Sequence, residues 1–400
     1  MASKSTAPAI NGVGNRKCKS WVETFVDYTS NLESAAAFRR WSAITVIAAV
    51  LEQKVWVDTG STLYPNLYTF LVGHAGIGKS RAITSAANLV REALPEIFFG
   101  ATSMTRASLV DYLVEAKRFL PQLPEPPVEY NSMLVIADEF SAFMHEYDSA
   151  LVAALVEFYD VNPYSEGRRV SQIRIKLQRP QLSILTGSTP SNLMNTLKDY
   201  VWDQGLMSRV ILVYSAERPL IDVFNTPAKP KPNGLIHDLK MMFKLEGEFA
   251  HTKAFEEAMH NWKMLHLEPA PDHPKLRHYN SRRWAHLLKL AMIACVDRGN
   301  EMVLDTVDFN TAFGWLVDVE ALMPMIFQVG SVAPDSRVMD EVAHFVKKHG
   351  KGVSEYQIVN YIRQHVPGYS VDAIFKNMIA ARMIKQVGVD KLGLRVYTTT

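Results

Sequence analysis

Residues 73–80 read Gly-His-Ala-Gly-Ile-Gly-Lys-Ser and follow directly on the apolar run Leu67-Tyr68-Thr69-Phe70-Leu71-Val72. An apolar strand that breaks into glycines and then opens a helix restricts the possible folds more than any other feature of the chain. Glycines at 73, 76 and 78 let backbone N–H groups curl round an anion with no Cβ in the way. Lys79 adds a mobile positive charge, and the Ser80 hydroxyl can ligate Mg²⁺. Arg81 to Leu94 is Ala-rich with few breakers, so a helix is expected there, with the positive end of its dipole toward the same anion. The pattern G-x-x-x-x-G-K-[ST] in this strand–loop–helix setting is that of a nucleoside-triphosphate site. The expected nucleotide contacts are Gly73, Ala75, Gly76, Ile77, Gly78, Lys79, Ser80 and Arg81, with ATP and Mg²⁺ as the ligands.

Binding alone does not hydrolyse a triphosphate. Hydrolysis needs one carboxylate for the magnesium shell and another to orient or deprotonate the attacking water. The run Ser132-Met133-Leu134-Val135-Ile136-Ala137 ends in Asp138-Glu139 and supplies both. Ligands of a parallel α/β sheet bind at strand C-termini, which would bring Asp138 and Glu139 into the crevice of Lys79. Asp138 would serve the metal and Glu139 the water. The competing reading is an acidic pair that starts a helix and is stabilised by its dipole.

The rest of the chain alternates strand-like and helix-like segments, which argues for a parallel sheet. Residues 1–20 read as a disordered basic tail. Two helices, Trp21–Tyr28 and Ala35–Leu51, precede the sheet, and an α/β core extends to 215. Pro121 to Pro127 reads as an exposed loop, Phe140–Phe158 as one helix and Arg168–Leu177 as one alternating strand. The Pro- and Lys-rich stretch after Ala216 marks a boundary to a helical segment, 216–330. A compact tail, 335–400, carries three helices, Ser336–His349, Ser354–His365 and Ser370–Arg382, then two strands. Three helices and a hairpin in about 65 residues is the winged-helix plan.

Composition adds limits. The chain has 400 residues, 48% hydrophobic and 21% charged, with a net charge of +2. No apolar stretch is long enough for a membrane span and no secretory signal is evident, so a cytoplasmic protein is expected. The two cysteines, Cys18 and Cys295, lack metal-like spacing, and His74 and His286 have no metal-like partner. Residues 335–400 hold ten Lys/Arg against six Asp/Glu. Basic ends on an acidic body suit an ATPase that meets nucleic acid near its termini.

Asp138-Glu139-Phe140 after an apolar strand resembles AAA+ ATPases, especially replicative helicases of the MCM type. Further segments resemble that family in the same order. Ser183-Ile184-Leu185-Thr186-Gly187-Ser188-Thr189-Pro190 looks like the sensor-1 strand, with Thr189 where MCM proteins carry asparagine. Leu206-Met207-Ser208-Arg209-Val210 is similar to the segment bearing the arginine finger. Ser281-Arg282-Arg283-Trp284 resembles the lid helix with the sensor-2 arginine, Arg282 by register or else Arg283. Leu63-Tyr64-Pro65-Asn66-Leu67-Tyr68 looks like the ATPases of phages and mobile elements, which are often joined to a primase. The resemblance implies an α/β AAA+ core with a helical lid and a C-terminal winged helix. It also implies an arginine finger that acts across a subunit boundary, hence a homo-oligomer, expected to be a hexameric ring.

Arg168, Arg169, Arg174, Lys176 and Arg179 form a basic run where related helicases place a pore hairpin. Alternation puts Arg174 and Lys176 on one face, where they could follow a DNA backbone. A charged edge strand that resists aggregation is the alternative. In the tail, Lys376, Arg382 and Lys385 would contact phosphates from the recognition helix, and Lys391 and Arg395 from the wing. The leading expectation is an ATP-driven DNA helicase or translocase for phage or mobile-element replication, with a primase or other replication proteins as partners. A loader or initiator that binds DNA without unwinding it, and an NTP-dependent regulatory or defence switch, are the alternatives.

Overall fold

The computed structural model describes residues 16–399 except 123, 145–147, 169–172, 198–200, 203–204, 223–230, 300–301, 331–333, 350–351, 367 and 390–392. Two units divide at residues 330 and 331. In the first, a short hairpin of β1 (Val55–Asp58) and β2 (Thr62–Leu63) precedes β3 (Tyr68–Val72). Further along come β4 (Lys117–Gln122), β5 (Glu125–Ala137), β6 (Tyr164–Arg168), β7 (Ile173–Leu177), β8 (Pro180–Ser188) and β9 (Val210–Tyr214). Five of these build one sheet in the order β4-β5-β8-β3-β9, all parallel except β4. β3, β8 and β9 are buried along their whole length; β3 and β9 read as apolar runs, whereas β8 also buries Gln181, Ser183, Thr186 and Ser188. Register pairs Val72 with both Ser188 and Tyr214, and Ala137 with Thr186. Gly73, Asp138, Thr189 and Ser215 therefore leave the sheet at one end.

Helices α1 (Trp21–Tyr28) and α2 (Ala36–Leu51) cover this sheet with α3 (Lys79–Ala93). α2 is buried without a break from Trp41 to Leu51, so it has no amphipathic stripe and acts as core. α4 (Arg106–Glu115), α5 (Phe140–Phe143), α6 (Ser149–Tyr159) and α7 (Pro190–Thr196) complete the connections.

Three segments differ from expectation. Pro121 to Pro127 is not a loop: Pro121 lies in β4, while Pro126 and Pro127 lie in β5. β4 is an edge strand and pairs with the part of β5 before the parallel ladder begins, so the prolines interrupt no central hydrogen bond. The expected helix 140–158 is two helices, and Asp148 starts the second by accepting from Ala150 N at 2.9 Å and Leu151 N at 3.1 Å. The expected strand 168–177 is divided between β6 and β7, which pair antiparallel.

Residues 216–330 share the core of the sheet, since a single buried apolar cluster runs from Cys18 to Phe327. Its axis is the helix Arg277–Arg298, buried continuously from Ala285 to Asp297. Residues 16–20, expected within a disordered tail, are held in place. Arg16 pairs with Asp238 at 3.0 Å and donates to the carbonyls of Val296 at 2.6 Å and Asp297 at 3.1 Å. Cys18 and Cys295 are buried, and burial pushes their thiols up to about 11 and about 12, so both stay protonated.

The second unit contains helices Pro334–Lys348, Glu355–Arg363 and Val371–Ala380 and a three-stranded antiparallel sheet. Arg395–Thr399 is the central strand, between Val353–Ser354 and Ile384–Val389. Its own small core gathers Val342, Ile358, Ile374, Met378 and Tyr397. Among the described residues of the chain, no helix is long and apolar enough to cross a membrane.

Candidate active site

The loop between β3 and α3 borders a cavity of about 380 Å³ lined by Glu33, Ala75, Gly76, Gly78, Lys79, Ser80, Arg81, Glu139 and Arg218. Gly78 is the N-cap of α3 with φ +83°, and it offers no side chain to cap the first turn. The free N–H groups of that turn are the anion-binding feature of such a loop. A Cβ on Gly78 would lie 1.9 Å from the Glu33 carbonyl, so the α1–α2 connection packs directly on the loop. Ile77 is buried and anchors the loop in the core.

Lys79 is 5% exposed, and its Nζ donates to the loop carbonyls of Gly73 at 2.8 Å and His74 at 2.9 Å. Burial lowers its pKa, and the charge of Glu139 works against that shift. Glu139 is raised above the ordinary carboxylate range, chiefly by burial, with Asp138 adding to the shift and Lys79 opposing it. Its Oε2 is buried with no hydrogen-bond partner. Glu139 precedes α5 but makes no side-chain cap bond. The carboxylate therefore points into the cavity instead of capping the helix.

Asp138 is exposed beside Glu139 and is not part of the lining. Ser80 is also exposed, at the mouth of the loop. A hydroxyl and a carboxylate are hard oxygen donors that suit Mg²⁺, which takes one or two protein ligands together with nucleotide oxygens. Among the described residues, no group of three or more His, Cys, Asp or Glu could hold a metal by itself. Thr189 caps α7, accepting from Asn192 N at 3.2 Å. It emerges from β8, the strand between β3 and β5.

The arginines lie elsewhere. Arg209 precedes Val210, which pairs with Tyr68 at the start of β3, whereas the loop follows Val72 at its end. Four strand steps, about 13 Å, separate the two ends. Arg209 is 6% exposed, donates to Gly205 O at 2.7 Å and pairs with Asp160. Arg282 pairs with the same carboxylate at 3.1 Å. Burial works to raise the Asp160 pKa, but the hydrogen bonds and charges of Arg209 and Arg282 prevail and hold it below the usual range. The His286 Nε2 lies 2.9 Å from Ser208 O, an atom that only accepts, so Nε2 carries the proton. Burial drops this imidazole to about 3, so it is neutral and structural. Arg283 faces the other way, into a buried pair with Glu320 at 2.5 Å.

Of the nucleic-acid candidates, Arg174 and Lys176 are exposed on β7, opposite buried Ile175 and Leu177. Arg168 is not a free charge: it is bound to Asp111 at 2.8 Å and to Glu166 at 2.9 Å. Arg169 and Lys391 lie outside the described residues. Lys376, Arg382, Lys385 and Arg395 are exposed on the second unit.

Sequence reasoning missed Glu33, Arg218 and Asp160. Arg218 had a signal, because it follows the end of a buried strand parallel to β3. Glu33 and Asp160 had none, since only the fold brings them to the loop and to the arginines. No family model and no curated protein matches the chain.

Proposed function

We propose that this chain is an Mg-ATP hydrolase of the AAA+ type that drives DNA translocation or unwinding during replication of a phage or mobile element. The observation that carries the reading is Glu139, whose buried, unpartnered Oε2 shares a cavity with Lys79. In the proposed step, water attacks the γ-phosphorus, the bond to the β-phosphate oxygen breaks, and Glu139 accepts the proton of the water. Lys79 leaves its loop carbonyls to hold the β- and γ-phosphates. Thr189, which follows the strand between loop and carboxylate, would sense the γ-phosphate. Ser80 and Asp138 would hold Mg²⁺, which neutralises phosphate charge.

Arg209 and Arg282 sit together at the opposite end of the sheet from Lys79. That placement favours service to a neighbouring subunit in a ring, expected to be hexameric, and Arg209 must leave Asp160 to provide it. The second unit is read as a winged helix that contacts DNA through Lys376, Arg382, Lys385 and Arg395. Mixing Arg209→Ala with Lys79→Ala protein tests the shared site, because each variant lacks a different half. Activity above that of either variant alone is expected. Full activity of Arg209→Ala protein as an isolated monomer would sink the ring.

A loader or initiator that binds DNA without unwinding is the second reading. The engagement of Arg168 with Asp111 and Glu166 favours it, because it leaves the β6–β7 hairpin less cationic than the sequence suggests. Strand displacement on a forked duplex separates the two: DNA-stimulated ATPase without displacement supports the loader.

A further inference from the structure

The cavity is lined by two cations, Arg81 and Arg218, that the mechanism above leaves without a role, and Arg81 is paired with Glu33. Arg218 lies on the segment leaving β9 and lines the same cavity as Lys79 and Glu139. The sheet sets its path: Ser215 N donates to Val72 O at 3.1 Å, so the chain exits beside the first residue of the loop. Glu217 N then bonds to Ser215 Oγ at 3.1 Å and turns the backbone. β9 flanks β3 on one side, while β8 and β5 lie on the other. Arg218 and Glu139 therefore approach the loop from opposite flanks.

Charge makes the case. The lining carries Lys79, Arg81 and Arg218 against Glu33 and Glu139. Arg81 is paired with Glu33 at 3.3 Å, and Lys79 and Glu139 line the cavity as one cation and one anion. Arg218 alone gives the lining a net positive charge, and a nucleotide polyphosphate is its natural counter-ion. Arg218 is also exposed, so replacing it removes no buried packing.

We propose that Arg218 is a nucleotide-binding residue of the same subunit, holding an oxygen of the α-phosphate on the flank away from Glu139. This rests on the nucleotide reading given above. The α-phosphate is common to ATP and ADP and takes no part in the cleaved bond, so Arg218 contributes equally to ATP and ADP binding and nothing extra to the cleavage step.

The test is titration of Mg-ATP and Mg-ADP into the full chain and its Arg218→Ala, Arg218→Lys and Lys79→Ala variants, with steady-state hydrolysis alongside. Arg218→Ala is expected to weaken both nucleotides about tenfold and to raise KM with kcat unchanged. Arg218→Lys should recover part of the loss, since a point charge remains. If Lys79→Ala loses ADP and Arg218→Ala does not, the proposal falls and the nucleotide reading stands. A lower kcat at saturating ATP also overturns it, because Arg218 would then belong to the cleaved phosphate. A wild-type chain that binds neither nucleotide removes both.

Discussion

Adjacent arginines on one helix should respond to mutation by very different amounts. The Arg283 side chain is fully buried, and Nε and Nη2 reach Glu320 at 2.7 and 2.5 Å. It also donates to the carbonyls of Leu267 and Pro269, and the Tyr279 hydroxyl completes the Glu320 shell at 2.8 Å. Arg283→Ala strands a buried carboxylate, a loss of about 3–5 kcal/mol. Two carbonyls left without a donor push toward the upper figure. The Arg282 pair is different, with side chains 35% and 27% exposed, so Arg282→Ala should cost about 0.2–1 kcal/mol. The assay is urea unfolding followed by tryptophan fluorescence. All seven tryptophans precede residue 331, so the signal reports the first unit alone.

The loss should also depend on pH. Burial raises the Glu320 pKa and Arg283 pulls it back. Without Arg283 the folded-state value rises further above the unfolded one, so the folded chain binds a proton that the unfolded chain has lost. Stability of the variant then falls as pH rises through that interval, which leaves a small deficit near pH 5 and the full deficit near pH 8. An Arg283→Ala midpoint equal to that of the wild type, or a deficit of equal size at both pH values, refutes the reasoning.

Other outcomes follow from the same contacts. Glu139→Gln should bind ATP yet lose hydrolysis, and wild-type hydrolysis should fall on the acid side at a pH above the ordinary carboxylate range, as the raised Glu139 pKa requires in a pH–rate profile. Gly78→Ala should abolish nucleotide binding, because φ is +83° and Glu33 O lies 1.9 Å from the new Cβ. Gly76→Ala, at φ +78° with nothing within 4 Å, should lose only about 1–2 kcal/mol of stability in a urea melt. Lys289 is buried against Asn66 Oδ1 at 2.7 Å, and burial lowers its pKa from 10.5 to about 7. The unfolded chain binds the extra proton between those values, so wild-type stability should rise with pH across that window, and Lys289→Met should flatten the slope.

The sequence disclosed what depends on local spacing. The glycines of the loop, the apolar run of β3 and the acidic end of β5 are each contained within about ten residues, and each lies where the pattern puts it. Pro121 misled because proline is a breaker only where a ladder needs its missing N–H, and edge status is a property of the whole sheet. Asp160 was illegible for a related reason. It follows α6 in the chain, yet its partners are 49 and 122 residues away. Register favours Arg282 over Arg283, but that Arg283 is held in the core by the buried carboxylate of Glu320 was not legible.

The helix Arg277–Arg298 also has a mechanical meaning. Arg282 near one end grips Asp160, one residue past α6, and the carbonyl of Asp297 near the other end is gripped by Arg16. About 22 Å of continuous helix joins these two holds, and the thirteen residues from Ala285 to Asp297 are buried. A close-packed interior has little compressibility, so the two holds are joined by a stiff element. One continuous buried helix thus ties the segment from Arg16 to the carboxylate that both arginines share.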